Sequence, residues 1–266
     1  ETLRILAKKG QGLIEATLKD QRRRVDELIV AWTMDKQNPT SMEYKGIAYQ
    51  KKTDSVTGLE YIEWLGKNKL YKNLPIYWMN KAKSTVHVPK SYWIPAQYLS
   101  VINKLRNHGI ILTHHKNETR VKGNQLSVKD FEFSPKPFEA RQMPKASFSE
   151  SSGQFLLPKN SVEVKTDQAL GNLAVALLDP RATDSFFAWG YFNSIFQRTE
   201  YIESYVLIPL AKQLFSENPK LKQTFEQKKL TDKVFAKDRK KQMEWIYKNS
   251  DYYDQEYLKY PVIFQH

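Results

Sequence analysis

The sequence predicts an α+β fold, and three observations carry that reading. Apolar residues step by three and four near the start of the chain and again after Ala169, which is helical spacing, whereas residues 42–88 and 120–167 alternate as strands do. Prolines and polar turn residues punctuate the alternating part and leave the helical parts largely uninterrupted. A chain of 266 residues with 41% hydrophobic and 13% aromatic composition has enough apolar surface for a packed core. The expected organisation is a long N-terminal helix in residues 1–40, a mostly antiparallel sheet with one or two helices in 41–168, and a helical part in 169–266. Residues 41–266 are also readable as one unit.

In order, Leu3, Leu6, Leu13, Ile14, Leu18, Val25, Leu28, Ile29 and Trp32 keep close to a 3.6 period, so residues 2–34 read as one long helix or two in line. Nothing caps its beginning, and Asn38-Pro39 ends it. Glu43 to Gln50, Leu59 to Leu65 and Ile76 to Met79 read as short strands, with a turn at Ser55-Val-Thr-Gly58. The segment from Pro89 to Pro95 is extended because proline restricts itself and the residue before it. Ala96 to His108 reads as a helix stopped by Gly109, with a strand at Ile110 to Leu112. Strands follow at Leu126–Phe133, Ala146–Ser149, Gln154–Leu157 and Ser161–Lys165. Helices are predicted over Ala169–Leu178, Glu200–Phe215, Pro219–Gln227 and Asp238–Lys248, and the aromatic tail Tyr252–Phe264 is expected to dock on the body.

The densest apolar stretch runs from Asp179 to Val206, with eight aromatics between Phe186 and Tyr205. Phe186, Trp189, Phe192 and Phe196 fall on one face of a helix that Asp184 would cap, so the stretch is either a core or a binding platform, and the helical spacing favours core. Trp189-Gly190 then reads as a close contact where a missing side chain lets a neighbour approach.

The formal charge is +13, from 42 Lys and Arg against 29 Asp and Glu. That allows a polyanion partner, yet apart from Arg22-Arg23-Arg24 and Lys237 to Lys241 the basic residues are interspersed with acidic ones. No recognised nucleic-acid motif occurs, which argues against that class of partner. No window is apolar enough for a membrane-spanning helix. The chain has no cysteine, which excludes disulfides, thiolate metal sites and cysteine nucleophiles.

His115-Lys-Asn-Glu118 spells H-x-x-E, a spacing able to put an imidazole and a carboxylate on one zinc ion. A third ligand would have to come from His87, His108 or His266, and the polar run Thr-His114-His115-Lys-Asn-Glu118-Thr-Arg reads as a surface turn instead. Glu200 with Glu203, and Asp251 with Asp254, lie about one helical turn apart, but Arg198, Lys212 and Lys248 offer ion-pair partners, so no acid–base pair is assigned. Serine-hydrolase, P-loop and dinucleotide motifs are missing.

One ordered set of segments carries a resemblance. Tyr92-Trp93-Ile-Pro-Ala-Gln-Tyr98, Leu105-Arg-Asn-His-Gly-Ile110, Pro137-Phe-Glu-Ala-Arg141, Leu177-Leu-Asp-Pro180, Asp184-Ser-Phe-Phe-Ala-Trp189-Gly190-Tyr-Phe192-Asn193, Glu200-Tyr201-Ile-Glu-Ser-Tyr-Val206 and Tyr260-Pro-Val262 follow one another along the chain. Taken together, from about Ser41 to Pro261, they resemble the C-terminal region of large bacterial zinc metallocarboxypeptidases of the carboxypeptidase A type. The resemblance implies a secreted or periplasmic location, an upstream peptidase domain as the partner of this region, and a peptide substrate for the parent. It also implies a zinc held upstream of Glu1 by an H-x-x-E pair and a distant His. No catalytic or zinc-binding residue, and no cofactor, is then expected in this chain, and His115 to Glu118 is a coincidence. Residues 1 to about 34 would be the last helix of the peptidase domain and its extension, making the chain a fragment. A binding module offers the contrasting reading, with Trp78, Tyr92 and Trp93 as a stacking platform for acidic glycans or surfaces.

Overall fold

The structure, a computed structural model, describes residues 2–21, 25–197 and 203–266. It is α+β with antiparallel sheets. Helix α1 covers Thr2–Gln21. Strand β1, Glu27–Thr33, takes the place of the helical continuation expected up to residue 34. The reason is local: Leu28-Ile-Val-Ala-Trp-Thr33 is a β-branched and aromatic run, and apolar runs this short fit either period. Its partner decides, since β1 pairs antiparallel with a later strand, Leu28 standing opposite Val86.

Two long strands follow, β2 (Thr40–Thr53) and β3 (Glu60–Ile76), which form a two-stranded arm of their own. The sequence foretold shorter strands here but the same turn. Asp54 Oδ1 accepts the N–H groups of Val56 and Thr57 and the Thr57 hydroxyl, and Gly58 adopts φ +71° where the chain reverses. Those bonds, the Thr57 N–H first, hold the Asp54 carboxyl below its usual range. No residue of the arm is buried.

The main sheet has six strands. After β4 (Lys81–His87), the partner of β1, come β5 (Ser91–Ile94), helix α2 (Leu99–Asn107), β6 (Thr113–His115), β7 (Thr119–Phe133), β8 (Pro144–Leu157) and β9 (Ser161–Lys165). Helices α3 (Gly171–Leu178), α4 (Ser204–Glu217), α5 (Pro219–Thr231), α6 (Lys233–Lys237) and α7 (Arg239–Lys248) precede the last strand, β10 (Ile263–Gln265). The spatial order is β6-β9-β5-β10-β7-β8, antiparallel throughout. The tail therefore docks as a central strand. Residues Ile110–Leu112, expected as a strand, are a connection that leads into β6.

All four residues of β5 are buried because both faces of the sheet are covered there. On one face Tyr92 and Ile94 meet Val101, Ile102 and Leu105 of α2, and Ala174, Val175 and Leu178 of α3. On the other, Trp93 packs with Val121, Leu157 and Ile263. The main core joins β1, residues 86–196 and the C-terminal residues 258–264, and takes nothing from the arm or from α4 to α7.

The stretch from Asp184 to Phe196 is core, as its composition suggested, but it is not the expected helix. It is a succession of turns ending in a 3-10 turn at Asn193–Phe196. Asp184 is exposed and caps nothing, while Ser185 Oγ accepts the Ala188 N–H. Gly190 holds φ +70°, and a Cβ there would lie 2.5 Å from the Gln142 carbonyl oxygen, so glycine alone permits the approach. Phe186, Phe187 and Phe192 are buried, Trp189 is half-buried and Tyr205 is exposed. Glu200, Tyr201 and Arg198 lie outside the described residues. The later helices follow the sequence closely, apart from the short α6. Asn218, Asp232 and Asp238 cap α5, α6 and α7 by accepting N–H groups of Leu221, Val234 and Phe235, and Lys241 respectively.

Tyr260 is central to the core. Its ring contacts Phe192 and Phe187, and its hydroxyl donates to the Leu178 carbonyl at 2.7 Å. Burial first, and then the nearby Asp179 charge, push its pKa well above the ordinary 10.0. The folded state thus holds a proton that the unfolded chain releases, so this contribution to stability is complete below pH 10 and declines as pH rises above it. Denaturant midpoints should fall on the alkaline side. Tyr260→Phe should show a shallower fall and, at neutral pH, a loss of about 1 kcal/mol from the missing hydrogen bond. Identical alkaline slopes for the two proteins would remove Tyr260 as the origin.

Candidate functional site

An open groove lies on the arm. Antiparallel pairing from Thr53 opposite Glu60 outward to Thr40 opposite Ile76 puts cross-strand partners on a common face. Two irregularities, between Met42 and Tyr44 and between Ile47 and Tyr49, give β3 extra residues and bend the ribbon. The bent face encloses a groove of about 1030 Å³, walled by Tyr44, Tyr49, Trp64 and Tyr71 with Lys69 and Asn68 at its rim.

The rings hold one another. Tyr49 meets Trp64 edge-on at 5.7 Å and stacks on Tyr71 at 6.3 Å. Tyr71 donates its hydroxyl to the Ile47 carbonyl at 2.9 Å, and Lys69 Nζ lies 4.9 Å from its ring centre. Gly46 forms the floor, since a Cβ there would lie 3.0 Å from the Tyr44 ring and 3.2 Å from that of Tyr71. Such a groove can receive a flat or extended apolar group on its rings and an anionic group at the lysine. The sequence pointed to the strands but not to this set. One usable signal was present: Tyr49 and Trp64 are equidistant from the turn, as are the paired Thr53 and Glu60, so counting outward brings the two rings together.

The platform expected from Trp78, Tyr92 and Trp93 does not assemble. Tyr92 is fully buried and Trp93 is 5% exposed, because β5 runs through the middle of the sheet. Trp78 is exposed on its own, its indole N–H donating to Thr40 Oγ1. Of the histidine candidates, His115 lies in β6, its ring tilted against that of Trp93 at 4.5 Å, with Nε2 3.3 Å from Glu163 rather than facing Glu118, which is exposed in the following turn. His87 Nδ1 is bonded to the Asp26 carbonyl, and His266 is 4.0 Å from Glu150. Among the described residues no three His, Asp or Glu side chains are grouped to hold a metal. Asp251 and Asp254 are exposed, and Lys248 pairs with Glu244.

One buried charge stands apart. Asp179, at the end of α3, is fully buried and takes the Arg181 guanidinium through both oxygens, at 2.8 and 2.6 Å, and the Arg181 N–H at 2.9 Å. The hydroxyl of Tyr92, whose pKa burial raises, has no hydrogen-bond partner among the described residues. This pair fixes the turn that starts the aromatic stretch. Asp179→Ala should therefore lower stability by about 2–3 kcal/mol, the low end for a broken buried pair because Arg181 reaches solvent, with urea denaturation as the measurement.

Comparisons with protein-family models, with curated proteins and with solved structures give no match.

Proposed function

We propose that this chain is the accessory C-terminal portion of a zinc carboxypeptidase, working by contact with a peptidase domain and by shaping access to its cleft, with the zinc chemistry supplied by that domain. The resemblance in the ordered segments suggests the class, and the surface of the molecule is the observation that carries the role. The chain exposes 19044 Å², against about 12,000 Å² expected of a compact monomer of its mass. Its most open elements carry many exposed apolar side chains. Leu3, Ile5, Leu6, Leu13, Ile14 and Leu18 of α1 are all exposed, as are the rings and aliphatic residues of the arm. Apolar surface on that scale needs a covering partner.

Two measurements test this. Incubated with zinc and peptides bearing free C-termini, the chain alone should release no C-terminal residue; robust, chelator-sensitive release ends the proposal. Expressed with the peptidase domain encoded upstream, it should co-purify as a complex that Leu6→Asp with Leu13→Asp disrupts. A reading frame with no upstream H-x-x-E and later His and Glu would equally count against it.

A second reading is favoured by the groove. Four aromatic walls with Lys69 beside them suit a glycan bearing acidic groups, stacked on the rings. Trp64→Ala should then weaken binding to a soluble acidic polysaccharide by roughly tenfold in calorimetry, the value of one good stacking contact. An unchanged affinity dismisses the glycan.

A further inference from the structure

The helices α5 to α7 carry a surface that neither reading uses. Between Pro219 and Lys241 there are nine Lys and Arg against three acidic residues. Two of those three are committed to the fold: Asp232 and Asp238 cap α6 and α7, and lie 3.7 Å from Lys228 and 3.8 Å from Lys241. Lys229, Lys233, Lys237, Arg239 and Lys240 are exposed. The chain turns at Asp232, where α5 ends and α6 begins, and this corner presents Leu230 and Val234, 83% and 62% exposed. Behind them Phe235 is buried against Phe225, ring centres 5.6 Å apart, so the corner has an anchored base and an apolar tip.

We propose that the α5–α6 corner is a peripheral docking site for an anionic lipid surface, with Leu230 and Val234 entering the interface and Lys229, Lys233 and Lys237 meeting the head groups. Charge complementarity selects the partner's sign. The two aliphatic side chains select lipid over nucleic acid. They offer a phosphodiester chain nothing, and the aromatic residues nearest the corner, Phe225 and Phe235, are packed together instead of being presented to bases. Among the described residues no helix is long and apolar enough to cross a membrane. This inference does not depend on the proposed function.

The test is co-sedimentation of the full chain with vesicles of phosphatidylcholine, with and without phosphatidylglycerol. Binding should require phosphatidylglycerol and weaken steeply with salt. Lys233→Glu with Lys237→Glu should reduce it by well over tenfold. Leu230→Ser with Val234→Ser, which leaves the charge unchanged, should reduce it about tenfold. Both pairs are exposed, and circular dichroism should show folding intact. Equal sedimentation with both vesicle types, or none with either, overturns the proposal. So does a Leu230→Ser, Val234→Ser protein that binds anionic vesicles as well as the parent, especially if a single-stranded oligonucleotide competes, because the corner is then only a polyanion patch.

Discussion

The sheet depends on the insertion of β10. Strands β5 and β7 are not neighbours; the chain's last residues lie between them, Ile263 opposite Trp93 and Phe264 opposite Asn124. The fit is close. A Cβ on Gly123 would come within 2.6 Å of the Phe264 carbonyl oxygen, so glycine is what lets β7 approach. Gln265 accepts from the Ser91 hydroxyl and the Trp93 indole, which ties β10 to β5 on the face where Trp93, Val121, Leu157 and Ile263 pack. Just before the strand, Tyr260 closes the opposite face against Phe187, Phe192 and the Leu178 carbonyl. Both cores thus wait on the C-terminal residues. Pairing Ile263 with Trp93 joins segments far apart in the sequence, a long-range contact of the kind that slows folding.

The class of fold was legible because periodicity is a local property, and so were the turn at Ser55–Gly58 and helices α5 and α7, although the short α6 was not expected. Their determinants lie within a few residues of the structure they make: Asp54 on Thr57, Asn218 on Leu221, Asp238 on Lys241. What sequence could not show is set by distant partners. Leu28 to Trp32 fits a helical stripe and becomes a strand because Val86 and Ala82 stand opposite. Phe186, Trp189 and Phe192 are spaced for a helix, yet the carbonyl of Gln142 approaches Gly190 and Asn193 donates to that same oxygen, holding the segment in turns. The aromatic groove was hidden for a related reason. Tyr44 and Tyr71 come together only because the irregularity between Ile47 and Tyr49 shifts the register, and simple counting from the turn misses them.

Burial separates the roles of the aromatic residues. Those of β5 and of the 184–196 stretch are consumed by the core, where each ring is in contact with others, as Tyr92 is with Phe264 and Phe192 with Tyr98. Those of the arm cannot be consumed, because a two-stranded ribbon has no second layer to bury them. An isolated hairpin is marginal in water, and the Tyr49, Trp64 and Tyr71 contacts are the stabilisation available to it within the chain. Covering that face by a partner or ligand would add burial without any rearrangement of the rings, so the arm is stabilised by whatever occupies it.

Charge divides the surface in a second way. The arm from Thr40 to Ile76 has six lysines and four acidic residues, and Lys52 is 2.7 Å from Glu63 across the strands, so its charges are partly answered internally. The α5–α7 run, Pro219 to Lys248, has ten Lys and Arg against four acidic residues, two of which, Asp232 and Asp238, also cap helices, so its balance is strongly positive. A nearly balanced aromatic face recognises shape at contact distance, whereas an uncompensated basic corner acts over roughly a Debye length, about 8 Å at physiological salt. The two surfaces therefore differ in range as well as chemistry: the basic corner attracts opposite charge before contact, whereas the groove can act only at contact.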